Sequence, residues 1–262
     1  MSFYYYVNPE WSSYEAGHTF LWNNIELTMG WDAFASFSDA AAALSQSWTV
    51  QGIAFAGDNL ENLGTGIGIC RDYPFSFLPA AGDTASLTVT ADQDNTVLRF
   101  GADPAGTSAS TSMSVESGFT LTLDASFHAA LLSVTSEGSR TFTMLVSGTV
   151  ESLGDADAYI EDGTAVILNE DAVFHISGGL TAEYGTVSES EDGRIVHPVM
   201  LSADGAVLAV DGTLNAYGDI ALADTSASAG TIVIGRGDID LRVSAVLETG
   251  AGYFLKIYVP GE

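Results

Sequence analysis

Carboxylates are the reactive side chains this sequence has in quantity, and several stand in close pairs. These are Asp92 with Asp94, Asp155 with Asp157, Glu161 with Asp162, and Asp238 with Asp240. Two carboxylates about 5 to 9.5 Å apart across a sugar are the machinery of glycoside hydrolysis. With 34 acids in 262 residues, however, such pairs arise by chance, and each reads first as a solvated turn or edge. The turn-like Gly154-Asp155-Ala156-Asp157 offers oxygen ligands for calcium, which makes Asp155 and Asp157 the candidate metal residues. Their spacing fits neither an EF-hand loop nor a Gly-Gly-x-Gly-x-Asp repeat, and no other cofactor is expected. His18, His128, His175 and His197 share no ligand spacing, so zinc is not expected. No serine is framed as Gly-x-Ser-x-Gly. Cys70, the single cysteine, reads as a small buried side chain in Ile67-Gly68-Ile69-Cys70 and excludes an internal disulfide. Arg236-Gly237-Asp238 matches the tripeptide that integrins read and is the candidate binding element. Its flanks, Ile232 to Ile234 and Ile239-Asp240-Leu241, place it in a tight turn between two strands.

Composition narrows the partners. Asp and Glu number 34 against 7 Lys and Arg, a formal net charge of −27. Such a field repels phosphate backbones and anionic lipid headgroups, so nucleic acid and membrane surfaces are not expected partners. Only 16% of residues are charged, so the polar surface is built from Ser, Thr, Asn and Gly, a surface more typical of secreted and cell-surface proteins. With 47% apolar residues the chain can bury a sizeable core. No run approaches the ~18 apolar residues of a membrane span. Met1 to Val7 lacks the basic start, apolar stretch and cleavage site of a signal peptide, which leaves a cytoplasmic chain or, as the preferred expectation, a piece of a longer exported protein.

The elements that must carry these residues are mostly strands. Phe3 to Val7 reads as a strand stopped by Asn8-Pro9. Thr19 to Trp22 and Ile25 to Thr28 read as a hairpin across Asn23-Asn24, because Asn tolerates positive φ. A helix is expected over about Phe37 to Gln46. Ser36 with Asp39 resembles a capping box, and Phe37, Ala41, Leu44 and Trp48 hold helical spacing. From Thr49 onward short alternating runs suffice, such as Leu87 with Val89, Met113 with Val115, and Leu121 with Leu123. Gly-Thr pairs open several of them, at 148–149, 163–164, 185–186, 212–213 and 230–231, scattering around the ~20–25 residues of one solenoid turn. A pair of β-sandwiches, with turns every ~8–12 residues, is the alternative all-β reading.

The N-terminal residues Tyr6-Val7-Asn8-Pro9-Glu10-Trp11, then Gly17, then Gly30-Trp31-Asp32-Ala33-Phe34-Ala35-Ser36-Phe37-Ser38-Asp39-Ala40, carry a resemblance. They resemble the opening unit of bacterial autotransporter-like and adhesin-like surface proteins with a right-handed parallel β-helix of the pectin-lyase type. The likeness covers about the first 60 residues. It implies that residues 1–47 form an N-terminal cap of hairpin and short amphipathic helix, with Trp11, Trp22, Trp31, Phe34 and Phe37 buried in it. Residues 48–262 are then one continuous β-helix domain. The same fold houses polysaccharide lyases and hydrolases, which need acids and a base converging on one face. Here Lys256 is the only lysine and the polygalacturonase-like Asn-Thr-Asp, Asp-Asp and His-Gly elements are absent.

The expected function is therefore a non-catalytic structural or adhesive segment of a secreted or surface-exposed bacterial protein. It would present a rigid acidic surface to a host or neighbouring cell's glycan or protein. A lyase or hydrolase on the same fold, and a carbohydrate-binding β-sandwich, are the alternatives. The finish Tyr258-Val259-Pro260-Gly261-Glu262 offers no obvious cap, so further coils or another chain are expected beyond it.

Overall fold

The structure, a computed structural model, describes residues 3–182 apart from 83, 92, 94–95, 109, 136–140, 162–163 and 170, and beyond 182 the strands alone. Side chains are described through 181, those of 126–133 and 165 aside, and at Leu208. The chain is mostly β with parallel sheets, and Phe37–Gln46 is the α-helix among the described residues.

The N-terminal elements obey local rules. Thr19–Trp22 pairs antiparallel with Ile25–Thr28, and Asn23 (φ 47°) and Asn24 (φ 65°) supply the two positive φ values that a tight hairpin turn needs. Pro9–Ser13 forms a 3₁₀ turn whose first free amide, Glu10 N, donates to Asn8 Oδ1 at 3.0 Å. Trp11, Leu27, Met29 and Ala33 are buried together there, with Phe20 and Trp22 ring centroids 5.1 and 5.6 Å from Trp11. The helix starts at Ser36, whose Oγ accepts from Asp39 N at 3.2 Å while donating to Asp39 Oδ2 at 2.8 Å. Phe37, Ala40, Ala41 and Leu44 are buried, one face at helical spacing.

Three tryptophans depart from expectation. Trp22 is half-buried rather than buried, packing at the margin of the Trp11 cluster. Trp31 is 77% exposed, because it succeeds Gly30 (φ 79°) in a turn where Trp31 N donates to Thr28 O. Trp48 is 74% exposed, because the helix ends at Gln46 and helical spacing no longer governs where its ring goes. Cys70 is half-buried rather than buried.

Parallel ladders organise the rest. One 10-stranded sheet includes, in pairing order, Ala33–Phe34, Tyr5–Val7, Gly52–Phe55, Phe75–Pro79, Ser110–Val115, Thr141–Val146 and Thr164–Leu168, and continues to Met200–Ser202, Ile220–Leu222 and Leu247–Thr249. From Gly52–Phe55 onward, between successive strands of this column, the chain passes through a 13-stranded sheet made of two further columns. The second column begins Asp58–Asn62, Ala85–Thr90, and the third Ile67–Cys70, Leu98–Gly101. Phe119–Thr135 and Thr149–Ile160 are long enough to run through both, with register shifts at the corner. Because these ladders are parallel, they differ from the antiparallel sheets a pair of β-sandwiches requires.

In-register stacking builds the core. In the first column Ile53, Phe77, Val115, Val146 and Leu168 lie one beside the next, all essentially inaccessible to solvent. In the second, Leu87, Leu121, Val150, Phe174 and Leu208 do the same. Neighbours within a column are far apart in sequence and unevenly so: 28 residues from Asp58 to Ser86, 22 from Ser147 to Asn169. Thr149, Thr164 and Thr231 do begin strands, but Thr149 and Thr164 lie in different sheets, so Gly-Thr spacing does not measure one circuit. The pairs at 185–186 and 212–213 lie outside the described residues. Gly148 has a packing reason: a Cβ there would stand 2.3 Å from Phe119 O of the neighbouring strand.

Tyr5–Val7 and Ala33–Phe34 share the first sheet with later strands, since Tyr5 pairs with Ile53 and Val7 with Phe55. The helix lies over the same core. Phe37 packs edge-on to Phe77 at 5.7 Å between ring centroids and lies 6.1 Å from Phe55. A second-column strand reaches back to its N-terminus: Phe37 N donates to Glu61 Oε2 at 3.0 Å, and Ser38 Oγ donates to Glu61 Oε1. A carboxylate on free helix amides is favourable by hydrogen bonding and by the helix dipole.

Candidate functional site

Where the helix ends and the chain turns into Gly52–Phe55, a cleft of about 470 Å³ opens on the flank of the first sheet. Its lining includes Trp48, Gln51, Arg71, Tyr73, Ser76 and Ser112. The outward positions of the first column bring the serines: Ser76 stands beside Ser114, and Ser112 beside Thr143. Ser114 Oγ is committed to Glu116 Oε1 at 2.6 Å. Trp48 (74% exposed) and Tyr73 (48% exposed) offer ring faces to solvent at the rim.

Arg71 lies beneath. It comes directly after the third-column strand Ile67–Cys70, and its amide carries that ladder one step further by donating to Gly101 O at 3.1 Å. The side chain is 2% exposed. Nη2 donates to Ser47 O at 2.9 Å and Val50 O at 3.0 Å, tying the segment after the helix to the sheet. The guanidinium carbon stands 5.9 Å from the centre of the Phe75 ring. Nε and Nη1 are buried and reach no acceptor among the described residues. Burial pulls the guanidinium below its ordinary pKa, partly offset by the phenols of Tyr5 and Tyr73. An arginine stays charged regardless, so this is a fixed donor for an anion and not a proton-transfer group.

The residues singled out from sequence lie elsewhere. Asp155 and Asp157 sit on Thr149–Ile160 just after Gly154 (φ 66°), where that strand turns the corner between columns. Asp155 is exposed, and Asp157 Oδ1 accepts from Gly179 N at 2.6 Å, which gives it a structural job. Among the described residues no three His, Cys, Asp or Glu side chains converge as a metal site. Arg236, Gly237 and Asp238 lie outside the described residues, as do Asp92, Asp94, Asp162 and His197. Arg71 carried no sequence signal beyond its rarity; its burial comes from contacts with Ser47 and Val50, 24 and 21 residues away.

No protein-family model, no curated protein and no solved structure matches the chain. The likeness of the first 60 residues to surface-protein openings therefore rests on those residues alone.

Proposed function

We propose that this chain is a right-handed parallel β-helix whose residues 1–47 cap its first coil, and that it serves as a non-catalytic segment of a secreted or surface-exposed bacterial protein. Its work is to hold a rigid surface against the glycans or proteins of a host or neighbouring cell. The observation that carries this reading is the order of travel: the chain visits the three parallel columns in the same sequence, circuit after circuit, around one apolar core. A stack of this kind pairs every interior strand on both sides and leaves unpaired edges only at its ends. The helix and hairpin lie at one such end, which is where a cover against edge-to-edge association is needed. The faces are dressed with hydroxyls, as in the register Ser86–Thr120–Thr149, suited to many weak polar contacts rather than to one reaction.

The test is a glycan array run alongside reducing-sugar and unsaturated-product assays on the same polysaccharides. Binding without turnover is expected. Product formation at any catalytic rate would overturn the non-catalytic reading.

A further inference from the structure

The cleft beside Arg71 has the parts of a ligand subsite with its anionic partner unassigned. A buried charged group left without acceptors carries a desolvation cost of the size of a lost hydrogen bond or more. Arg71 has two such nitrogens, Nε and Nη1, in a side chain 2% exposed that lines a cleft. Buried polar atoms in folded proteins nearly always have partners, so two orphans on one guanidinium point to an acceptor from outside the chain. The rest of the lining says what bears that acceptor. The Trp48 and Tyr73 rings offer flat apolar faces, and Gln51, Ser76 and Ser112 add amide and hydroxyl groups beside them. Apolar face plus hydroxyl edge is the chemistry of a sugar ring.

We infer that this cleft binds a saccharide carrying a carboxylate, which accepts from Arg71 while the sugar ring lies against Trp48 and Tyr73. The inference rests on the glycan-contact reading above and names its ligand class. A carboxylate supplies charge-assisted hydrogen bonds that a neutral sugar cannot. The net charge of −27 repels anions at long range, but screening confines that field to about 8 Å at physiological ionic strength. The same field disfavours anions over most of the surface, so an acid that does bind is held by local donors. Nε and Nη1 are buried in the wall of the cleft, so the acceptor reaches them only with a local shift of the lining.

The carboxylate has two natural sources, a terminal nonulosonic acid or an internal uronic acid. Titration calorimetry of the full chain with 3′-sialyllactose and with trigalacturonate separates them. Lactose and the trimethyl ester of trigalacturonate are the neutral counterparts. At least one acid is expected to bind, with its counterpart roughly tenfold weaker or more. Trp48→Ala, which removes an exposed ring, is expected to weaken the acid about tenfold. Arg71→Gln is expected to abolish the preference for acid over neutral, with circular dichroism reporting whether the segment anchored at Ser47 and Val50 stays folded. Should Arg71→Gln unfold, Trp48→Ala carries the decision. The inference is overturned if neither acid binds, if acid and neutral forms bind equally, or if Trp48→Ala changes nothing. Capture of neutral glycans alone would overturn the cleft assignment while leaving the surface-contact function standing. Cleavage of trigalacturonate would overturn the non-catalytic reading and leave the ligand class intact.

Discussion

Phe37 is where the helix is joined to the strands, and removing its ring measures how firmly. The side chain is 1% exposed, with the Phe77 ring edge-on at 5.7 Å and the Phe55 ring at 6.1 Å. Phe→Ala at a fully buried site costs about 3–5 kcal/mol, through lost transfer energy and the cavity left behind. A cavity here is bounded by strands hydrogen-bonded to neighbours on both sides, which limits collapse and favours the upper half of that range. Trp31→Ala is the internal control: a larger ring, but 77% exposed, and expected to change stability by no more than about 0.5 kcal/mol. Urea unfolding monitored by far-ultraviolet circular dichroism reads both. With a slope of about 3 kcal/mol per molar urea, Phe37→Ala should lower the midpoint by roughly 1.5 M while Trp31→Ala leaves it in place. A Phe37→Ala midpoint within about 0.2 M of the parent, or an equal loss for Trp31→Ala, would mean that the ring does not join the helix to the strands.

Glu61→Ala removes the acceptor for Phe37 N and Ser38 Oγ, and a loss of about 2 kcal/mol is expected, with Glu61→Gln losing roughly half as much; equal stability of all three proteins in urea would rule out the cross-strand cap. Gly148→Ala sets a methyl against Phe119 O and Glu116 O, at 2.3 and 2.5 Å, and should destabilise by more than about 2 kcal/mol; an unchanged thermal midpoint would show that the two backbones part easily. The net charge of −27 makes self-repulsion a standing cost, so the thermal midpoint should rise between 10 and 150 mM sodium chloride; a flat or falling midpoint would mean the acids are spaced too widely to repel.

How much of this was legible in the residues depends on the range over which each feature is encoded. The hairpin and helix could be read because their causes lie within a few positions. Asn23 and Asn24 tolerate the positive φ the turn demands, and Ser36 caps a run of alanines. The alternating strands could be read too, since Leu87 and Val89 share a face whatever they pack against. The columns could not, because loops of unequal length separate positions that stack. Gly-Thr pairs that begin strands in different sheets therefore looked like a repeat.

The same limit applies to the candidate site. Nothing local distinguishes Arg71 from an exposed arginine, nor marks Trp31 as exposed and Trp11 as buried; each depends on which distant segment lies over the side chain. Glu61 capping a helix 24 residues earlier is the clearest case. Backbone preferences are short-range and so are written in neighbouring residues. Burial and hydrogen-bond partnership belong to the stacked circuits as a whole and exist only once those circuits have met.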